Sequence, residues 1–205
     1  MTIAVHLNES QKEEWIQKGS GTAQVHFLAN LSALSYVRAD VLIDLLYTPH
    51  TSYTTVPPLV FVNAVTTTCS SLPPGFIRLN AWPGFLQSRV TEVAVRNTEE
   101  QQAAVQALTV MGWEHCFTPD IPGFITTRVI ASIINEAFYA LEEEVSTRTE
   151  IDTAMKLGTN YPLGPFEWCS KIGAANIFDL LHLLSHHDNR YKPAPLLVKE
   201  AELTL

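Results

Sequence analysis

Proton transfer near neutral pH calls for an imidazole, so the seven histidines of this 205-residue chain are the first residues to weigh. His26 falls inside an apolar run of strand length. His182, His186 and His187 fall in the last helical stretch and its exit. Those positions assign all four to packing or to solvent. His50 follows the apolar run that ends at Tyr47, and ligands in parallel sheets bind outside the carboxyl ends of strands. It is the histidine best placed for chemistry, although a loop histidine beside Pro49 ordinarily belongs to the surface. Cys69, Cys116 and Cys169 are scattered and odd in number, with no CxxC pair, which points to reduced, partly buried thiols. No metal site is expected. The run Glu142-Glu143-Glu144 reads as the solvated end of a long helix.

Two kinds of element must position these groups. Up to about Ile121, short apolar runs alternate with polar connectors. Thr2–Leu7, Ala23–Leu28, Ala39–Tyr47, Leu59–Val65, Gly75–Trp82, Val90–Arg96 and Glu114–Pro119 read as strands. Several are nearly continuous in apolar residues, as strands covered on both faces of a parallel sheet are. Glu9–Gly19 and Thr98–Met111 read as helices, so the pattern is a doubly wound sheet in reduced form. From Pro122 the period becomes helical. Val129, Ile130, Ile133, Ile134, Ala137, Phe138, Leu141 and Val145 make a wide apolar stripe. Thr147 and Glu150 form a capping box for a second helix, and Gly158 is placed just past its end. Pro165 stands at a first helical position, and Gly173 marks the next stop.

Hydrophobic residues make up 46% of the chain and charged residues 17%, which is enough apolar material for a sizeable core and argues against disorder. The formal net charge of −8 disfavours nucleic acid and anionic membrane as partners, because both select a basic face. No leader-like start and no run of membrane-span length is present, so a cytoplasmic protein is expected.

Several runs, in order, resemble the 3-hydroxyacyl-CoA dehydrogenase family. PGFITTR at Pro122–Arg128 resembles the family's PGF-hydrophobic-x-N-R entry to a long helix, and IDTAMKLGTNYPLGPFE at Ile151–Glu167 its IDxAMKLGxxYPxGPFE run. RYKPAPLL at Arg190–Leu197 resembles RYxPxPLL. Upstream, ADVLIDLLY and VTEVAVRNTEE are similar to a family strand and to the segment that carries its catalytic glutamate. The resemblance implies a reduced Rossmann-like parallel-sheet α/β domain over residues 1–120 and an all-helical dimerisation domain over residues 121–205. It also implies NAD as cofactor, an acyl-CoA-like small molecule as ligand, a place in fatty-acid metabolism and a homodimer.

In active relatives a His takes the hydroxyl proton, a Glu stabilises the imidazolium, and a Ser and an Asn position the oxygen. The resemblance carries the Glu to Glu92. Twelve residues upstream, the His position falls on Asn80, whose amide cannot accept a proton near neutral pH. The Ser position falls on Thr66 or its neighbour Thr67, and the Asn position on Thr127. The family's GxGxxG phosphate turn is replaced by His6-Leu7-Asn8-Glu9-Ser10-Gln11, without a glycine, so no cofactor-binding residue is expected and NAD binding should be weak or absent. About ten residues separate Leu28 from Ala39, too few for the family's helical arm, and Thr48–Pro58 is too proline-rich for a crossover helix. Two functions of different class follow. One is an NAD-linked dehydrogenase of impaired catalysis. The other is a non-catalytic pseudoenzyme relative that keeps the dimer and an acyl-binding cleft.

Overall fold

In the computed structural model residues 1–203 are described; residues 204 and 205, the end of the expected helical domain, lie outside the described residues. The chain forms two units, Met1–Phe124 and a second beginning at Ile125.

The first unit is a seven-stranded sheet of order β2-β1-β3-β4-β5-β6-β7. Its strands are β1 (Thr2–His6), β2 (Gln24–Leu28), β3 (Val41–Asp44), β4 (Leu59–Asn63), β5 (Phe76–Leu79), β6 (Val90–Ala94) and β7 (Glu114–Phe117). Alternate residues serve opposite faces, and both faces are covered. Ile3, Val5, Val41, Ile43, Phe61, Ile77 and Leu79 pack with Trp15 of α1 (Glu9–Lys18) and with Leu108 and Met111 of α2 (Thr98–Met111). Ala4, Leu42, Val60, Val62 and Phe76 pack on the other side with Leu34 of a 3-10 turn at Leu31–Tyr36, with Leu72 and with the rings of Tyr47 and Tyr53. Two-sided burial is the reason the strands read as unbroken apolar runs.

Two details differ from the sequence reading and a third agrees with it. The sheet is parallel except for β5 and β6, which pair antiparallel. The segment 80–89 between them is shorter than the dozen or so residues a parallel crossover needs, and it carries Pro83 and a positive-φ Gly84, so the chain simply turns back. The expected strand Ala39–Tyr47 is limited to Val41–Asp44. There the Asp44 carboxylate accepts from the Leu46 amide at 3.1 Å, an Asx-type turn that ends the strand. Neither Thr48–Pro58 nor the stretch after β2 forms an α-helix, as the sequence led us to expect.

The second unit is helical: α3 (Thr126–Glu142), α4 (Arg148–Thr159), α5 (Pro165–Ile172), α6 (Ala174–Ser185) and α7 (Pro195–Glu202). Thr147 caps α4 through the expected box with Glu150, but Gly158 lies inside that helix. Asn160, at φ 57°, supplies the left-handed terminus instead, a conformation that asparagine tolerates through local side-chain bonding. Only part of the α3 stripe is core. Ile130, Ile134, Ala137 and Phe138 are buried, whereas Val129 is 48% exposed and Ile125 and Val145 are also exposed. Asn135, buried on the same helix, donates to the Lys192 carbonyl at 2.9 Å and accepts from the Ala194 amide at 2.8 Å. It thereby holds the segment that leads into α7. Glu142 is not simply solvated, since it accepts from the Leu196 amide. Among the described residues no helix is long and apolar enough to cross a membrane.

Candidate functional site

The antiparallel β5–β6 pairing sets Asn80 opposite Glu92. The Asn80 amide donates to the Glu92 carbonyl at 3.0 Å, and its side-chain Nδ2 donates to Glu92 Oε2 at 2.8 Å. Both side chains are buried. A carboxylate is thus held by an amide that can donate a hydrogen bond but cannot take a proton. The adjoining backbone is fixed as well, because the Ala81 amide donates to Asn63 Oδ1 at 3.0 Å. Cys116, beside Glu92 on β7, has its thiol pushed up by burial and then by the Glu92 charge, so it is a neutral thiol and no nucleophile.

Thr66 and Thr67 sit half-buried on the loop after β4. The loop is braced from below by Arg78, which is fully buried on β5. Arg78 Nε donates to the Ala64 carbonyl at 2.9 Å, Nη2 to the Val65 carbonyl at 3.2 Å, and Nη1 to Asp120 Oδ1 at 2.6 Å. Asp120 in turn accepts from the Cys69 amide at 2.9 Å. Burial by itself would raise the Asp120 carboxyl. The Cys69 amide, the Arg78 guanidinium and the Cys69 thiol outweigh that and hold it below the usual carboxylate range. Burial lowers the Arg78 value, with Asp120 acting in opposition. The structure therefore joins Asn80 to Glu92 and fixes the loop of Thr66. Thr127 belongs to the second unit, buried in the first turn of α3.

The β1–α1 turn has no cradle for a dinucleotide. Asn8 caps α1: its side chain accepts from the Gln11 amide at 2.8 Å, and the Gln11 side chain accepts from the Asn8 amide at 3.0 Å. Two of the amides that would meet a phosphate are taken, and the Glu9 side chain, 88% exposed, adds negative charge to the first turn. These residues do not fit the pyrophosphate of a nicotinamide dinucleotide.

Sequence reasoning missed a cluster beside this turn. His6 Nδ1 lies 2.8 Å from Asp44 Oδ1, and the Tyr53 hydroxyl donates to Asp44 Oδ2 at 2.7 Å. Burial and then the bond to Asp44 push the Tyr53 hydroxyl up, so it stays a donor. The available signal was a polar residue at the last position of two strands that otherwise read as apolar. His50, the histidine favoured from sequence, is exposed in a turn, and His26 is half-buried on β2. His182 stacks on Phe178 and meets His186 edge-on along α6. Among the described residues no group of three or more His, Cys, Asp or Glu could hold a metal ion.

On α3 the open side of the apolar stripe forms a groove of about 610 Å³, lined by Val129, Ile133, Glu136, Tyr139, Arg128 and Arg190 among others.

Comparison with known proteins adds the following. The family model described as the 3-hydroxyacyl-CoA dehydrogenase C-terminal domain matches residues 123–204. A 3-hydroxyadipyl-CoA dehydrogenase of Escherichia coli K12 is 39% identical over 116 residues, 56% of this chain and 24% of that protein. A probable 3-hydroxybutyryl-CoA dehydrogenase of Bacillus subtilis is 33% identical over 165 residues, 77% of this chain and 56% of that one. The crystal structure of the (S)-3-hydroxybutyryl-CoA dehydrogenase from Ralstonia eutropha superposes with a TM-score of 0.70 at 17% identity, covering 99% of this chain and 94% of that chain; at that identity the likeness is one of fold. The chain spans between about a quarter and about half the length of the curated relatives it matches.

Proposed function

We infer the function from one premise: the chain belongs to the 3-hydroxyacyl-CoA dehydrogenase family. On that premise the chain is a catalytically impaired 3-hydroxyacyl-CoA dehydrogenase relative, an oxidoreductase by descent whose site around Asn80, Glu92 and Thr66 orients a 3-hydroxyacyl or 3-oxoacyl thioester. The observation that carries the reading is the 2.8 Å bond from Asn80 Nδ2 to Glu92 Oε2. Glu92 is kept in position, with an amide in place of the base. Loss of a general base costs about 10²–10⁴-fold in rate. Thr127, at the position where relatives carry Asn, is the second polar replacement, and its hydroxyl can still donate and accept.

The closed amides of the β1–α1 turn support a second reading, a non-catalytic acyl-ligand-binding relative. With no fit for NAD at that turn, hydride transfer has no acceptor held by this chain alone. In both readings the protein is a homodimer, with a second copy covering the open α3 groove. The exposed Val129 and Ile125 beside that groove are apolar positions that a solvated helix face would not need.

Two measurements separate the readings. Titration with NADH, followed by nicotinamide fluorescence, should detect no complex of micromolar affinity, about −8 kcal/mol; a complex of that strength would overturn the reading of the turn. Turnover of 3-hydroxybutyryl-CoA with NAD should rise in Asn80→His if residual cofactor binding persists, and it should stay at background in both proteins if the chain is non-catalytic. Near-normal turnover in the unaltered chain would refute both readings.

A further inference from the structure

We propose that the cavity between the 3-10 turn and the loop before β4 binds a short aliphatic monocarboxylate, whose carboxylate pairs with Arg38 and whose alkyl chain enters the cavity. Leu34, Val37 and Ala39 line it from the 3-10 turn and the chain that leads into β3, and Thr55, Val56 and Pro57 from the chain that leads into β4. The cavity therefore lies at the amino ends of these two strands. Thr66 follows the carboxyl end of β4, which is five residues long, roughly 16 Å. The two places are at opposite edges of the sheet, so failure of one would leave the reading at Asn80 untouched.

Volume and charge set what the site accepts. The cavity measures about 150 Å³. An apolar space of about that size is enough for a molecule of about six non-hydrogen atoms, the size of benzene. Butyrate is of that size. Leu34 is buried while Val56 is 46% exposed, so the apolar wall runs from the interior out to solvent. Arg38 is the charged residue of the lining, and it is exposed. Among the described residues no carboxylate pairs with its guanidinium. Asp40, the acidic residue close by in the chain, accepts instead from the Thr2 amide at 2.7 Å. A free guanidinium beside an apolar hollow complements a molecule with a carboxylate at one end and hydrocarbon at the other, because the planar fork takes both carboxylate oxygens. Thr55 adds a hydroxyl to the same lining. Inorganic phosphate has no hydrocarbon to bury, and a neutral alcohol gives the guanidinium no charge to pair with. An exposed ion pair alone is weak, and so is burial of a short alkyl chain, so affinity needs both halves and is expected to be about millimolar.

The test uses the full chain labelled with ¹⁵N, near neutral pH where butyrate is ionised. Titration with sodium butyrate, against sodium chloride of equal ionic strength, should give saturable shifts of the Leu34, Ala39 and Val56 amides with a dissociation constant of about 1 mM. Inorganic phosphate and butan-1-ol, which each supply one half of the ligand, should bind at least about tenfold more weakly. Arg38→Gln removes the charge at an exposed position and should weaken butyrate about tenfold, with the spectrum of the free protein unchanged elsewhere. Val56→Trp should fill the cavity and abolish the shifts while Arg38 remains. Absence of saturation below about 20 mM, phosphate or butan-1-ol equal to butyrate, or an affinity unchanged in either variant overturns the proposal. Arg38→Gln touches no structural contact, so its result decides even where Val56→Trp fails to fold.

Discussion

Replacing Arg78 by Met should loosen the first unit more than almost any other single substitution, and the size of the effect can be worked out contact by contact. Arg78 is fully buried and donates to the carbonyls of Ala64, Val65 and Ile121 and to Asp120. Met fills a similar volume over the Phe124 ring, so packing is largely preserved. The Val65 carbonyl keeps the Gly123 amide at 2.8 Å and loses little. The Ala64 and Ile121 carbonyls each lose a donor, at about 1 kcal/mol apiece. Asp120 loses its counter-ion but is 27% exposed and keeps the Cys69 amide, which limits its share to about 1–2 kcal/mol. The total is about 3–4 kcal/mol. With a urea slope of about 2 kcal/mol/M for a unit of this size, the midpoint should fall by about 1.5–2 M. The transition is followed by the fluorescence of Trp15, Trp82 and Trp113, all in this unit. Asp120→Asn should cost less, and the double substitution less than the sum of the two, because the same ion pair is removed only once. The acid side gives an independent check. Asp120 is held below its ordinary range, so it contributes stability above the unfolded value near pH 4 that is lost as pH falls through the folded value. That acid-side loss should shrink in Arg78→Met. A midpoint shift below about 0.5 M, or strictly additive substitutions, would refute the view that this one guanidinium holds the Thr66 loop.

The second unit offers further tests. Light scattering at micromolar concentration should give twice the chain mass, and Val129→Asp, a charge on the open side of α3, should give a folded monomer; a monomeric unaltered chain would remove the case for a second copy in the groove. Asn135→Ala removes a donor to Lys192 and an acceptor for Ala194, and should cost about 2–3 kcal/mol by thermal or urea unfolding. An unchanged Tm would mean that the segment before α7 is held by something other than this side chain.

How far the sequence speaks depends on whether a feature is set by neighbours along the chain or by partners across it. The strands, the α4 capping box and the helix led by Pro165 were legible because period, cap and proline act within a few residues. The reversal at β5–β6 was only half legible. The short segment 80–89 excludes a crossover helix, yet the apolar runs on either side of it look the same in parallel and antiparallel pairing. Asn160 displaced Gly158 as the end of α4 because a left-handed residue can be either type, and the last turn's own bonding decides which position takes it. The pairing of Asn80 with Glu92 came from the family spacing, and the antiparallel register gives that spacing a physical cause, since with Arg78 opposite Ala94 and Leu79 opposite Val93 the next pair inward must be Asn80 and Glu92. The His6–Asp44–Tyr53 cluster had no such handle. His6 and Asp44 are 38 residues apart, and only the parallel register of β1 with β3 brings them together. A charged residue at the end of an apolar run ordinarily marks a strand leaving the core. Asp44 does end its strand, but it ends it fully buried, which is tolerable only because His6, Tyr53 and Leu46 converge on its two oxygens. That dependence runs in both directions: any change that moves the β1–β3 register by one residue would strand a buried carboxylate. The same contacts therefore hold the centre of the sheet in register.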